Sequence, residues 1–268
     1  MGQSESVLQD SFANSSKFFL TGEEAENALN EAEKQDGYLS TIAANSINKK
    51  ARENNSYRVA SESVIKSDAE LPQTNIFPDG RIITLMSSAD AGLPHTRGKD
   101  IICIPAYFPK DRLQAMIVHE RVHLHQKLIR EQYKQFYKKE WQFTENNYNI
   151  PDSIRSRIRL NPDTIGWPMY IWRDTWIPLC LFEREDKPSL RECTYCWYNP
   201  KGGVLLKSMP PAWKEFFGDI GQSEHPNELT ACYATEYEKY KGVEAATAFY
   251  SFLFTKEHLY GKNSSIRE

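Results

Sequence analysis

The chain has 268 residues, of which 40% are apolar, 26% charged and 12% aromatic, and its 33 basic and 36 acidic side chains leave a formal net charge of −3. This composition excludes a disordered or fibrous protein, and a folded chain of this length buries roughly three quarters of its unfolded surface. The balanced charge gives no electrostatic reason to expect nucleic acid or an anionic membrane as partner. No run of eighteen apolar residues is present to span a bilayer.

The first stretch, MGQSESVLQDSFANSSK, lacks the basic flank and apolar segment of a signal peptide. With five cysteines, an odd number, it predicts a cytoplasmic protein with free thiols. Gly2 and Ser6 fit the short M-G-x-x-x-[ST] myristoylation pattern, but no polybasic patch supports it, and a disordered polar tail over residues 1–16 is the expectation. Residues 17–66 read as mainly helical. TGEEAENALNEAEKQ has Thr21 as N-cap and acids in its first turn, and LSTIAANSINKKARENN follows with Ser40 or Thr41 as cap. Residues 57–66 are ambiguous between helix and strand, and residues 67–80, with Pro72, Pro78 and Asp79-Gly80, read as loop.

RIITLM and DIICIPAYF are short, β-branched and read as strands; Pro105 puts the second at a sheet edge or ends it. A long helix then runs from Asp111, its cap, to about Trp141. Leu113, Met116, Ile117, Leu124, Leu128 and Ile129 form its apolar stripe, and its Lys- and Tyr-rich end is expected to project past the core. Residues 145–168 read as loop with a short helix, and residues 169–207 as a β-meander. PPAWKEFFGDIG is a short helix, HPNELTACYATEYEKYKG a helix with Pro226 at its first position and Gly242 past its end, and EAATAFYSFLFTKEHLYGK a closing helix. The fold class expected is α+β: mostly helical, a small mixed sheet before the long helix, an inserted β-meander, and one catalytic domain over residues 17–262. Its parts are residues 17–66, 80–145, 169–207 and 222–262.

The chemistry concentrates in IVHERVHLHQ, which holds three of the six histidines. His119 and His123 are one turn apart on one helix face, so their ring nitrogens can share a Zn²⁺ ion. Glu120 points about 100° around the helix from His119 and is placed as general base rather than ligand. His125 is two residues from His123 and faces another side, which predicts a surface or supporting role. A catalytic zinc needs a third protein ligand. The metzincin spacing fails, because Ile129 stands where a histidine is required and no glycine intervenes. The later helix offers Glu228 in its first turn, with Leu229 and Cys232 as apolar anchors; Glu236, Glu238 and Asp219 are the alternatives. Cys193 and Cys196 have the spacing of a zinc knuckle or redox pair, but no second pair completes a structural zinc site.

On His119-Glu120-Arg121-Val122-His123 and Asn227-Glu228-Leu229-Thr230-Ala231 the chain resembles the zincin metallopeptidases, and within them the gluzincins, over residues 80–130 and 222–240. The resemblance implies one zinc ion held by His119, His123 and Glu228, a peptide or protein substrate, and Glu120 moving a proton from the attacking water to the leaving amine. It also implies that DIICIPA is the edge strand that holds substrate by main-chain hydrogen bonds. His225, Tyr233 and Tyr237 are the candidate oxyanion or substrate contacts, and His95 and Arg97 candidates to line the cleft. The gap from His123 to Glu228 is longer than in thermolysin-like enzymes, and Cys232 stands where their supporting acid would be. The competing reading is a zincin-shaped protein that retains metal and binds without turnover.

Overall fold

The computed structural model describes residues 18–53, 56–62, 65 and 76–255, and the backbone of the strands β1 (Phe12–Ala13) and β3 (Leu71–Pro72). β1 and β3 pair antiparallel. Part of the expected tail, and part of the expected loop over residues 67–80, is therefore paired backbone, which needs no apolar composition. Gly2, Ser6 and residues 256–262 lie outside the described residues.

The apolar runs before the long helix form a mixed sheet. Its strands are β2 (Phe19–Leu20), β4 (Arg81–Leu85), β5 (His95–Arg97) and β6 (Ile101–Pro105), in the order β2-β4-β6-β5. The first three are parallel and β5 is antiparallel to β6. Both faces are covered, which is why β4 and β6 read as near-continuous apolar runs. Ile83, Leu85, Ile101 and Cys103 pack on α1 (Gly22–Asp36), and Ile82, Ile102 and Ile104 on α4 (Lys110–Leu128). β6 is interior, not an edge, and Pro105 is its last residue. The Ala106 N–H donates to the Leu85 carbonyl, while β5 reaches β6 only as far as Cys103, so proline removes no ladder bond.

Three expected helices are broken; the late one, expected from Pro226 to before Gly242, parts at Glu236 (φ −121°, ψ 45°) into Pro226–Thr235 and Tyr237–Tyr240. The second divides into α2 (Tyr38–Ala44) and α3 (Ser46–Lys50), because Asn45 is extended and its side chain accepts the Asn48 N–H, starting a new helix. The long helix stops at Leu128: Ile129 (φ −114°, ψ 46°) leaves helical geometry, and α5 (Arg130–Lys139) follows. The break lets Tyr133, Phe136 and Tyr137, spaced i, i+3 and i+4, turn into an aromatic core instead of projecting past it. Trp141, in the same core, donates from Nε1 to the Ala245 carbonyl at 2.9 Å.

β7 (Phe143–Glu145) pairs with β8 (Tyr170–Trp172) on either side of α6 (Asp152–Arg155). β9 (Ile177–Phe182), β10 (Cys193–Asn199) and β11 (Val204–Leu206) form an antiparallel sheet, the expected meander. Cys193 and Cys196 are three apart on β10 and therefore face opposite sides, and both are free thiols, so the spacing makes no pair. The chain closes with α7 (Pro211–Phe217), α8 (Pro226–Thr235), α9 (Tyr237–Tyr240) and α10 (Glu244–Leu253), and α8 packs along α4.

Candidate metal centre

α4 is held to the sheet by Leu113, Met116, Ile117 and Leu124, and this packing turns His119, Glu120 and His123 toward α8. The two imidazole rings lie 4.8 Å apart, centre to centre. α8 begins at the right place because His225 and Pro226 fix its start. The His225 ring accepts the Asn227 N–H through Nδ1, and Pro226 occupies the first turn, where a missing N–H costs nothing. Glu228 then falls in the first turn, facing α4. Its Oε2 is 3.2 Å from His119 Nε2 and its Oε1 is 3.6 Å from His123 Nε2. Residues 109 positions apart in sequence thus bring three donor groups within 4.8 Å of one another.

Each donor is oriented from behind. Gln126, one turn beyond His123, donates from Nε2 to the Asn227 carbonyl (2.9 Å) and to Thr230 Oγ1 (2.7 Å). Those two acceptors fix the amide, so Gln126 Oε1 faces His123 and accepts its Nδ1–H at 2.9 Å. His123 Nε2 is left buried with no hydrogen-bond partner in the protein. An orphaned ring nitrogen, aimed with a second imidazole at one carboxylate, is what a divalent ion needs, and a buried polar atom without such a use is costly. Asn161 supports the carboxylate: its Nδ2 donates to Glu228 Oε1 at 2.8 Å.

The electrostatics also favour a cation. Burial alone would lower the His123 pKa, but the charges of Asp163 and Glu228 outweigh it and push it up to about 10. Burial raises the Glu228 carboxyl, yet His123 and His119 bring it well below the usual range. Glu120 is 3% exposed, and its Oε2 has no hydrogen-bond partner. Burial first, then the neighbouring Asp163 charge, raises its proton affinity well above that of an ordinary glutamate.

The sequence reading missed the segment over residues 159–163, Arg-Leu-Asn-Pro-Asp, which supplies the facing wall. Asn161 caps the single turn that follows by accepting the Asp163 N–H at 3.0 Å. Asp163 Oδ1 accepts from the Thr96 N–H (2.8 Å) and from Thr96 Oγ1 (2.5 Å), which pins this wall to β5. Arg159 pairs with the buried Glu224 at 2.8 Å. Arg159, Asn161 and Asp163, with His119, Glu120 and Glu228, border a cavity of about 610 Å³.

The far wall carries Asp90 and His95. Asp90 (φ 45°) and Ala91 (φ 54°) are consecutive non-glycine residues in the left-handed region, a strained conformation that surroundings must enforce. Tyr38 Oη and Arg52 Nε both donate to Asp90 Oδ1, at 2.5 and 2.6 Å. His95 donates from Nδ1 to the Leu93 carbonyl and accepts from Tyr57 Oη at 2.7 Å. Arg97 is buried away from the cavity, between Asp36 and Glu33.

The structure displaces the other expected contacts. His225 spends both ring nitrogens on structure, the second donating to the Pro168 carbonyl. Tyr233 donates to the Phe217 carbonyl inside the aromatic core, and the Tyr237 ring packs at a tilt against Tyr250. None of the three borders the cavity. Glu236, Glu238 and Asp219 are solvent-facing and paired with Lys239, Lys241 and Lys214. His125 is not at the surface but buried, hydrogen-bonded to Tyr133 Oη at 3.0 Å. The strand DIICIPA is flanked on both sides, and the edge strand next to it is β5, whose outward N–H at Thr96 is taken by Asp163.

No protein-family model, curated protein or solved structure matches the chain. Among the described residues no helix is long and apolar enough to cross a membrane.

Proposed function

We propose that this protein is a zinc-dependent peptidase, gluzincin-like in drawing its third ligand from a later helix. His119, His123 and Glu228 would hold the metal, and Glu120 would be the general base. The observation that carries the reading is the convergence of those three donors next to a cavity that His119, Glu120 and Glu228 border, beside the unpartnered carboxylate oxygen of Glu120. Two imidazoles and one carboxylate form a donor set suited to zinc with a position open for chemistry. When bound, zinc would polarise the scissile carbonyl and make a water molecule acidic near neutral pH.

The chain's own groups do the rest. Glu120, whose burial raises its proton affinity, takes the proton of the attacking water and delivers it to the leaving amine. Gln126 keeps the His123 proton on Nδ1, so that Nε2 faces inward. Asn161 keeps Glu228 from turning away. The walls over residues 159–163 and 90–95 limit water around the reacting bond.

The test is Glu120→Gln. The variant is expected to retain one equivalent of zinc and to lose peptide hydrolysis by roughly 10²- to 10⁴-fold. Cleavage of a peptide library at the wild-type rate would end the mechanism. Zinc retention with no cleavage by the wild type would instead identify a metal-retaining binding protein.

A further inference from the structure

We propose that Asp163 receives a free α-ammonium group, so that the cavity takes peptide ends carrying an unblocked amine rather than the interior of an extended chain. The inference rests on the peptidase reading and adds its substrate class. It begins from the closed sheet edge. His95, Thr96 and Arg97 are all buried, the Thr96 N–H is already bonded to Asp163, and β6 has a neighbour on each side. An extended substrate finds no free ladder there to join, so it enters the cavity by an end.

The charge beside Glu120 and His123 selects which end. An Asp163 oxygen lies within 4.8 Å of a Glu120 oxygen and a His123 nitrogen, on the cavity wall. The α-nitrogen of a terminal residue is two covalent bonds from the carbonyl carbon being attacked, so an acceptor this close to the base stands where that nitrogen falls. Asp163 Oδ1 is occupied by Thr96, and no donor to its other oxygen is found among the described residues. Lys127 donates to Thr96 Oγ1 at 2.7 Å and its charge also acts on Asp163, but no hydrogen bond joins it to either Asp163 oxygen. Glu228 and Glu120 already match the charge of one divalent ion, and Asp163 is a third carboxylate beside them.

A separate observation points the same way. Asp90, 2% exposed on the same cavity, adds another carboxylate to the far wall, and its Oδ2 has no hydrogen-bond partner and lies 3.8 Å from His95 Nε2. The wall arginines Arg52 and Arg159 are engaged by Asp90 and Glu224, at 2.6 and 2.8 Å. Arg112, exposed on the same cavity, has no ion pair among the described residues, so the selection is made beside Glu120, where a free α-carboxylate would meet the carboxylates of Asp163 and Glu228 and an ammonium would meet a carboxylate oxygen with no donor.

The experiment uses the zinc-loaded full chain with a tripeptide library, free or N-acetylated, and with leucine hydroxamate, free or N-acetylated, followed by calorimetry. The free-amine library is expected to be cleaved after its first residue, and the free-amine hydroxamate to bind roughly 10- to 100-fold more tightly than the acetylated one. Asp163→Asn keeps an oxygen for Thr96 and is expected to bring the two hydroxamates to parity, with the loss for peptides in KM rather than kcat. If that variant loses its folding transition, Asp163→Glu, which retains the charge, is expected to keep the preference. Equal cleavage and binding of free and acetylated forms by the wild type would overturn the amine site and leave the zinc reading standing. Two equivalents of zinc, one of them lost in Asp163→Asn, would overturn it in favour of a second cation. Absence of zinc and of cleavage would remove both proposals.

Discussion

Gln126→Ala should weaken metal binding without touching a ligand. The side chain is fully buried and makes three hydrogen bonds: it accepts His123 Nδ1–H at 2.9 Å and donates to the Asn227 carbonyl and to Thr230 Oγ1. Truncation leaves a buried ring N–H without an acceptor and lets the imidazole proton move to Nε2, the atom needed for the metal. Partners of this kind are worth about 10- to 100-fold in metal affinity, or about 1.4–2.7 kcal/mol. The metal-free protein should also lose about 2–4 kcal/mol of stability through the stranded polar groups. Competition against a chromophoric chelator gives the zinc Kd, and urea unfolding of the metal-free form gives the stability. Gln126→Glu separates the two effects, since it restores an acceptor for His123 but not a donor for the Asn227 carbonyl. It should recover most of the affinity and little of the stability. An unchanged Kd for Gln126→Ala, or equal affinity losses in both variants, would refute the orienting role.

Arg97→Met probes the acid limb of stability. Burial pushes the Asp36 carboxyl up, but Arg97 and the Gly98 and Tyr38 N–H groups outweigh it and leave its pKa below the ordinary 3.8. A depressed folded pKa gives stability that is complete above the unfolded value and is lost as pH falls through it, here below about pH 4. The variant should lose about 2–4 kcal/mol at pH 7, with the partial solvation of the carboxylates placing it low in the range for buried pairs, and its stability should fall less steeply between pH 5 and 3. An unchanged slope in urea titrations at these pH values would show that the pair is not its source. Gly80→Ala tests the seating of α4. A Cβ there would lie 2.7 Å from Ile102 Cδ1 and 2.8 Å from Leu124 Cδ1, so overpacking should cost about 1–3 kcal/mol and lower Tm by roughly 2–12 °C. A Tm equal to wild type would mean that the side chains of Ile102 and Leu124 move aside without cost.

What the sequence disclosed follows from the range of the forces involved. His119, Glu120 and His123 were legible because four-residue spacing on an amphipathic helix is a local geometric fact. Glu228 was legible because Pro226 marks where its helix begins, so the first turn could be counted. Gln126 was within reach of the same reasoning, being three residues past His123. Residues 159–163 were not: a loop has no period, and the one local signal, Asn161 ahead of a proline, speaks of a turn and not of a carboxylate 67 residues away. The break at Ile129 was hidden because the apolar stripe continues through it; only the aromatic core that receives Tyr133, Phe136 and Tyr137 decides the change of direction. β5 escaped notice because three residues are too short for alternation to register, and its burial depends on Asp163 and Arg97, whose partners are remote.

The central claim is that two imidazoles of α4 and one carboxylate of α8 hold a single zinc ion. X-ray absorption at the zinc edge, on the full chain loaded with one equivalent of zinc, tests it most directly. The account predicts a first shell of nitrogen and oxygen alone, at about 2.0–2.1 Å, with the outer scattering of two imidazole rings, lost in His119→Ala. Sulfur at about 2.3 Å from the chain's thiols, or a hydrated ion without imidazole scattering, would contradict it.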